Sequence, residues 1–280
     1  METIDYELQY NSRKAIPGHE QISAQWDVLA EAYRREHPGE PDIPYGPGER
    51  QKFDFFPAPG APADAPLCAY IHGGYWKSRD RKTFSHVARG LNARGVSVAI
   101  PSYDHCPQVS VADIIEEMRR FLAVLWQKTG QHPLVMGHSA GGHLTACMLA
   151  TDWSGIDDVP EDLVRRAFAV SGIYDLTPIC KVSVNEDIRL TEESARAVSP
   201  LFWTPPPADR ELVAAVGGLE SAEFRRQSRE LAETWGKAGL TTDYVEIPDA
   251  NHFTVVNAVI DPEGPYMARI ADMALACARS

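Results

Sequence analysis

Leu134-Val135-Met136-Gly137-His138-Ser139-Ala140-Gly141-Gly142-His143-Leu144 is the stretch that decides the fold. A short apolar run, Leu134 to Met136, leads into a Gly-x-Ser-x-Gly turn. The apolar, helically spaced segment His143 to Ala150 follows it. Strand, sharp turn and helix in that order push a serine hydroxyl out of the top of a sheet. Small residues around Ser139 permit the cramped backbone this needs. The Ala140 N–H then sits at a helix N-terminus, where a developing negative charge is favoured. A bare Gly-x-Ser-x-Gly is a weak signal, and the flanking elements are what make Ser139 a candidate nucleophile.

Outward from this turn the chain alternates. Strand-like apolar runs are Leu67 to Ile71, Val96 to Ile100, Ala167 to Val170, Leu212 to Val216 and Tyr244 to Ile247. Helical spacing occupies the stretches between, around Phe84, Val87, Ala88 and Leu91, over Asp113 to Lys128, Ala222 to Ala238 and Tyr266 to Ala278. This pattern predicts an α/β fold, a mainly parallel sheet with helices on both faces. Ahead of it, Gln21 to Glu36 reads as a helix with Trp26, Leu29, Ala30 and Tyr33 on one face. The Pro/Gly-rich passages His37 to Gly48 and Pro57 to Pro66 read as loops, flanking the short run Phe53 to Phe56. The expected organisation is an N-terminal helical extension over 1–50 packed on a catalytic domain over 51–280. No internal repeat is visible.

In open α/β sheets chemistry gathers beyond the carboxyl ends of the strands. After Leu67 to Ile71 comes His72-Gly73-Gly74-Tyr75-Trp76, where glycines let backbone N–H groups point into a site. Gly73, Gly74 or Tyr75 N–H, together with Ala140 N–H, are the expected oxyanion donors. His72 reads as a loop-pinning residue, because His252 follows the last strand and so sits where a general base belongs. The chain order serine, acid, histidine then asks for a carboxylate after Leu212 to Val216. Glu220 is best placed and Asp175 is its rival. Asp243 precedes the last strand, and Asp249 suits the turn before His252.

Composition bounds the rest. Of 280 residues, 44% are apolar, and the formal charge is −12. The apolar share excludes wholesale disorder. The acidic balance argues against nucleic acid and against anionic membranes as partners. Met1 to Tyr10 lacks the basic start and apolar run of a secretory leader. No stretch reaches the roughly 18 apolar residues of a spanning helix. Five scattered cysteines, without a CxxC pair, suggest free thiols in a cytoplasmic protein. A small-molecule substrate is the expected partner, and self-association into a homo-oligomer is compatible with the sequence.

Taken together, His72-Gly73-Gly74-Tyr75-Trp76 resembles the HGGxW motif of the kynurenine formamidases (arylformamidases), a branch of the α/β-hydrolase fold related to esterases and lipases. Gly137 to Leu144 resembles their nucleophile turn. Ser199-Pro200-Leu201-Phe202-Trp203 and Glu223-Phe224-Arg225-Arg226-Gln227-Ser228 resemble their later segments. In that family the acid, usually Asp, sits just ahead of an EF…QS stretch, and Glu220 occupies the place here. His252, within Asn251-His252-Phe253, matches the family's histidine. The resemblance implies hydrolysis of N-formylkynurenine to kynurenine and formate, with no metal and no organic cofactor.

An aryl formamide needs flat apolar walls. Tyr75, Trp76, Tyr174, Phe202, Trp203 and Phe253 are the expected substrate-binding aromatics. Lys77 and Arg79 are candidates to meet a substrate carboxylate, whereas Arg225, Arg226 and Arg229 read as a solvated helix face. Two other readings compete. A carboxylesterase for small acyl esters would use the same residues. A ligand-binding protein without turnover would not need serine, acid and histidine together. A metallohydrolase is disfavoured by the lack of HExxH.

Overall fold

In the computed structural model, which describes residues 4–62 and 64–278, an eight-stranded sheet lies between two helical layers. The first three residues of the polar Met1 to Tyr10 stretch, residue 63 of the second Pro-rich passage and residues 279–280 lie outside the described residues. The chain begins with α1 (Tyr6–Tyr10), α2 (Ser12–Ala15) and α3 (His19–Glu36). Strands β1 (Glu40–Pro44), β2 (Lys52–Phe56) and β3 (Leu67–Ile71) follow. A 3₁₀ turn, Arg81–Val87, runs into α4 (Ala88–Asn92). Next come β4 (Ser97–Pro101), α5 (Val111–Thr129), β5 (Pro133–His138), α6 (Ala140–Leu149) and β6 (Arg166–Val170). Short helices α7 (Asn185–Ile188) and α8 (Glu192–Ala197) lie in the long connection to β7 (Glu211–Gly217). The last elements are α9 (Ala222–Lys237), β8 (Thr241–Ile247), α10 (Thr254–Ile260) and α11 (Pro265–Ala278).

The strand order is β1-β2-β4-β3-β5-β6-β7-β8. β2 runs antiparallel to β1 and β4, and every pairing from β4 to β8 is parallel. Alternate residues of the buried strands feed two cores. Leu67, Ala69 and Ile71 join one apolar layer with α5, α6 and α9. Cys68 and Tyr70 join the other with α3, α4 and α11. Local chemistry sets the ends of these helices. α5 starts at a capping box in which Ser110 and Asp113 satisfy each other's backbone N–H, and it stops at Gly130 with φ 64°.

Two expectations change. The His37 to Gly48 passage is not all loop, because β1 forms within it, with Ile43 opposite Phe53. An edge strand tolerates Pro41 and Pro44, since its outer N–H groups have no ladder to complete. The helical extension therefore ends at Glu36, and the sheet begins before the division expected at residue 50. Among the described residues no helix is long and apolar enough to cross a membrane. The parallel sheet brings the segments after β3, β5, β7 and β8 to one edge, and all the candidate catalytic residues stand there.

Candidate active site

Ser139 sits at the junction of β5 and α6 with φ 58° and ψ −121°. A non-glycine residue at positive φ is strained and must be held by its surroundings. Its N–H donates to the Val170 carbonyl at 2.9 Å, and its carbonyl accepts from His143 N–H at 3.0 Å. The helix behind it lies so close to the sheet that a Cβ on Gly141 would fall 1.9 Å from the Ile71 carbonyl oxygen. One on Gly142 would fall 2.6 Å from that of Val170. With glycine at both positions, α6 opens at Ala140, three residues earlier than the spacing predicts.

The serine meets the two partners that chain order suggests. Its Oγ lies 3.0 Å from His252 Nε2, and His252 Nδ1 lies 2.6 Å from Glu220 Oε2. The other Glu220 oxygen accepts from Gly217 N–H at 2.7 Å and from the Ser171 hydroxyl. Ser139, Glu220 and His252 are all buried. Phe224 stacks obliquely on His252 at 4.6 Å, and His138 Nε2 donates to the His252 carbonyl at 2.8 Å, which fixes the backbone of the candidate base. Burial, reinforced by the nearby His252, holds His138 well below the usual histidine range, so it stays neutral. The rival acids are engaged elsewhere. Asp175 accepts from the Thr177 N–H and hydroxyl, and Asp243 pairs with Arg269.

The loop after β3 runs alongside. A Cβ on Gly73 would lie 3.0 Å from Ser139 Cβ, and Gly74 adopts φ 122° with the Ser78 carbonyl in the space of its missing side chain. Gly73, Gly74 and Tyr75 line the same cleft as Ser139, and Ala140 opens α6 beside it. Tyr75 and Trp76 both have φ 53° and are held by their side chains. The Tyr75 hydroxyl donates to the Tyr10 carbonyl. Trp76 Nε1 donates to His143 Nδ1 at 3.3 Å, whose Nε2 donates to the Val198 carbonyl. His72 is stacked between Phe84 and Tyr103 and donates from Nδ1 to the Gly73 carbonyl. Burial pushes its pKa down to about 4, which suits a loop pin and not a base.

The cleft is walled by Trp26, Tyr75, Phe84 and Phe253. Of the six expected aromatics, only Tyr75 and Phe253 line it. Trp76 and Tyr174 are fully buried behind the site. Phe202 lies under the Arg196 guanidinium, and Trp203 donates to the Ala197 carbonyl, both on the β6–β7 connection. The second wall comes instead from the N-terminus: Trp26 of α3, with Ser12 and Arg13 of α2. No motif marks these residues, and Trp26 carried only the signal of an apolar helix face.

The sequence matches the BD-FAE family model over residues 53–216. The kynurenine formamidase of Salmo salar is 35% identical over 227 residues, 79% of this chain and 76% of that protein. The Danio rerio kynurenine formamidase is 34% identical with the same coverage. Among solved structures, a Silicibacter sp. protein described as a thioesterase superposes with a TM-score of 0.86 at 30% identity. It covers 96% of this chain and 99% of that one. Esterase B of Lactobacillus rhamnosis shares the fold, with a TM-score of 0.70 at 17% identity over 92% and 94% of the two chains. The chain is an α/β-hydrolase and belongs to the kynurenine formamidase family.

Proposed function

We propose that the protein hydrolyses N-formyl-L-kynurenine, or a closely similar aryl formamide, to kynurenine and formate through a formyl-serine. The observation that carries this reading is the Ser139–His252–Glu220 hydrogen-bonded relay at the inner end of an aromatic cleft, in a chain of this family. His252 takes the Ser139 proton as Oγ attacks the formyl carbon. The tetrahedral oxyanion is met by Ala140 N–H and by amides of the Gly73–Tyr75 loop. Each such donor is worth about 3–4 kcal/mol in the transition state. The C–N bond then breaks, and His252 hands its proton to the departing aniline nitrogen. Water activated by the same imidazole attacks the formyl ester, releases formate and returns the proton to Ser139.

Formyl is the smallest acyl group. The close approach of Gly73 to Ser139 supports a cramped acyl side, and the four aromatic walls support a flat leaving group. These steps need no metal or organic cofactor. Cys68, Cys106, Cys147 and Cys180 are free thiols, which supports a reducing, cytoplasmic setting.

The test is kcat/KM on N-formylkynurenine and on p-nitrophenyl acetate, for the wild type and for Ser139→Ala. A formamide value above about 10⁴ M⁻¹s⁻¹, lost on the order of 10⁵-fold in the variant, is expected. Turnover of the ester alone would move the protein to the carboxylesterases. A fully active Ser139→Ala would remove the proposed nucleophile.

A further inference from the structure

The outer end of the cleft carries two arginines. Arg79 follows the oxyanion loop and Arg13 comes from α2, and both line the cleft that holds Ser139. Among the described residues, neither guanidinium has a carboxylate within ion-pair distance. Arg13 donates to the neutral Ser78 hydroxyl at 2.9 Å, and Arg79 faces the Trp26 ring with Cζ 6.0 Å from its centroid. Lys77, the other cation near the loop, is already paired with Asp187. Asp27 attracts Arg79 from α3 without forming an ion pair. Burial and the like charge of Arg13 both depress the Arg79 pKa. In a chain of formal charge −12, two mutually repelling cations without an ion-pair partner are out of place unless an anion joins them.

Arg79 is also held in position. Its backbone has φ 80°, and its carbonyl accepts from Arg50 Nη2 at 2.6 Å. A Cβ on Gly74 would lie 3.0 Å from Arg79 Cγ and 2.2 Å from the Ser78 carbonyl oxygen. The glycine that opens the oxyanion loop therefore also gives Arg79 its room. A donor whose backbone is fixed before the ligand arrives has less freedom to lose on binding.

We propose that Arg79, assisted by Arg13, forms a carboxylate-binding subsite that selects aryl formamides bearing an amino-acid carboxylate. This rests on the formamidase reading and adds the residues that recognise the substrate's far end. The formyl group lies at buried Ser139, the aryl ring between Trp26, Phe84 and Phe253, and the carboxylate on the two guanidiniums. Arg79 is the principal donor because it is half-buried, whereas Arg13 is exposed and its contribution is more strongly screened.

The experiment compares N-formylkynurenine with ortho-formamidoacetophenone, which keeps the aryl ketone and formamide but lacks the amino acid. The quantity read is the ratio of the two kcat/KM values, for the full chain and for Arg79→Met, Arg79→Lys and Arg13→Met. The ratio is expected to fall about 30- to 100-fold in Arg79→Met, through KM, as for a lost charged hydrogen bond. Arg79→Lys should restore part of it, and Arg13→Met should lower it by roughly 3- to 10-fold. An unchanged ratio, or equal loss on both substrates, overturns the subsite. If the wild type cleaves p-nitrophenyl acetate but neither formamide, the formamidase reading falls by itself. The subsite is then read from inhibition of the ester reaction by kynurenine. Inhibition about tenfold weaker in Arg79→Met sustains it, and equal or absent inhibition overturns it.

Discussion

At the scale of single residues, Glu220 carries the sharpest test. Both of its oxygens are committed, one to His252 and the other to Gly217 N–H and the Ser171 hydroxyl. Glutamine has the same shape but only one accepting oxygen. In Glu220→Gln the side-chain NH₂ must face either the imidazole N–H or the Gly217 N–H, so one donor is left unmatched. We expect kcat to fall about 10³- to 10⁴-fold with the far-ultraviolet circular dichroism unchanged. A fall below about tenfold would point to a different acid. The hydrogen-bonded grouping of Ser139, Glu220 and His252 was legible because strand order and chain order constrain them together. The aromatic walls of the cleft were not, since an aromatic residue on a loop serves a core as well as a cleft. Trp76 and Tyr174 went to the core.

At the scale of elements, the N-terminal helices act as a strap fastened over the site. Tyr10 is fully buried, and its hydroxyl donates to Glu223 Oε2 and accepts from Gln227 Nε2, each at 2.7 Å. Gln227 in turn accepts from the Tyr174 and Asp175 N–H groups. Burial, before any other cause, raises the Tyr10 pKa, so the hydroxyl stays protonated and keeps donating. Tyr10→Phe leaves Glu223 and Gln227 short of a buried partner, a cost of about 1–3 kcal/mol. Calorimetry should show Tm lower by about 2–10 °C. KM for N-formylkynurenine should rise with it, because the Tyr10 carbonyl holds Tyr75 and the strap continues to Arg13. An unchanged Tm would mean that the strap adds nothing to stability. The periodicity of α3 was plain in the sequence. The seat of α1 was not, because the hydrogen bonds of its Tyr10 hydroxyl span more than 200 residues.

At the scale of the molecule, buried imidazoles set the acid limit. Burial drives the pKa of His72, His86 and His143 down to about 4, and that of His138 well below its usual range. Each is neutral in the fold and takes up a proton on unfolding once the pH is below about 6.5. The unfolded chain then binds more protons than the folded one, so stability falls as the pH drops from about 6.5 toward 4. Glu117 works the other way. Burial lifts it to about 7, so between its unfolded value and 7 the fold holds a proton that the unfolded chain has released. One group offsets part of four, and the net effect is acid lability. Urea unfolding at pH 7, 6 and 5 should give a falling midpoint. A midpoint that holds or rises on acidification would contradict this account.

The sequence by itself determined the alternation of strands and helices, the Gly-x-Ser-x-Gly turn, and the chain order in which Ser139, Glu220 and His252 come together. These are local patterns, written in the spacing of apolar residues and in glycines that no other residue can replace. Only the tertiary structure decided which aromatics wall the cleft, that β1 joins the sheet, and that Arg13 and Arg79 share one cleft. Those outcomes depend on which surfaces meet across the fold. A cleft walled by residues as far apart in the chain as Arg13, Arg79 and Phe253 leaves no trace in the spacing of any one segment.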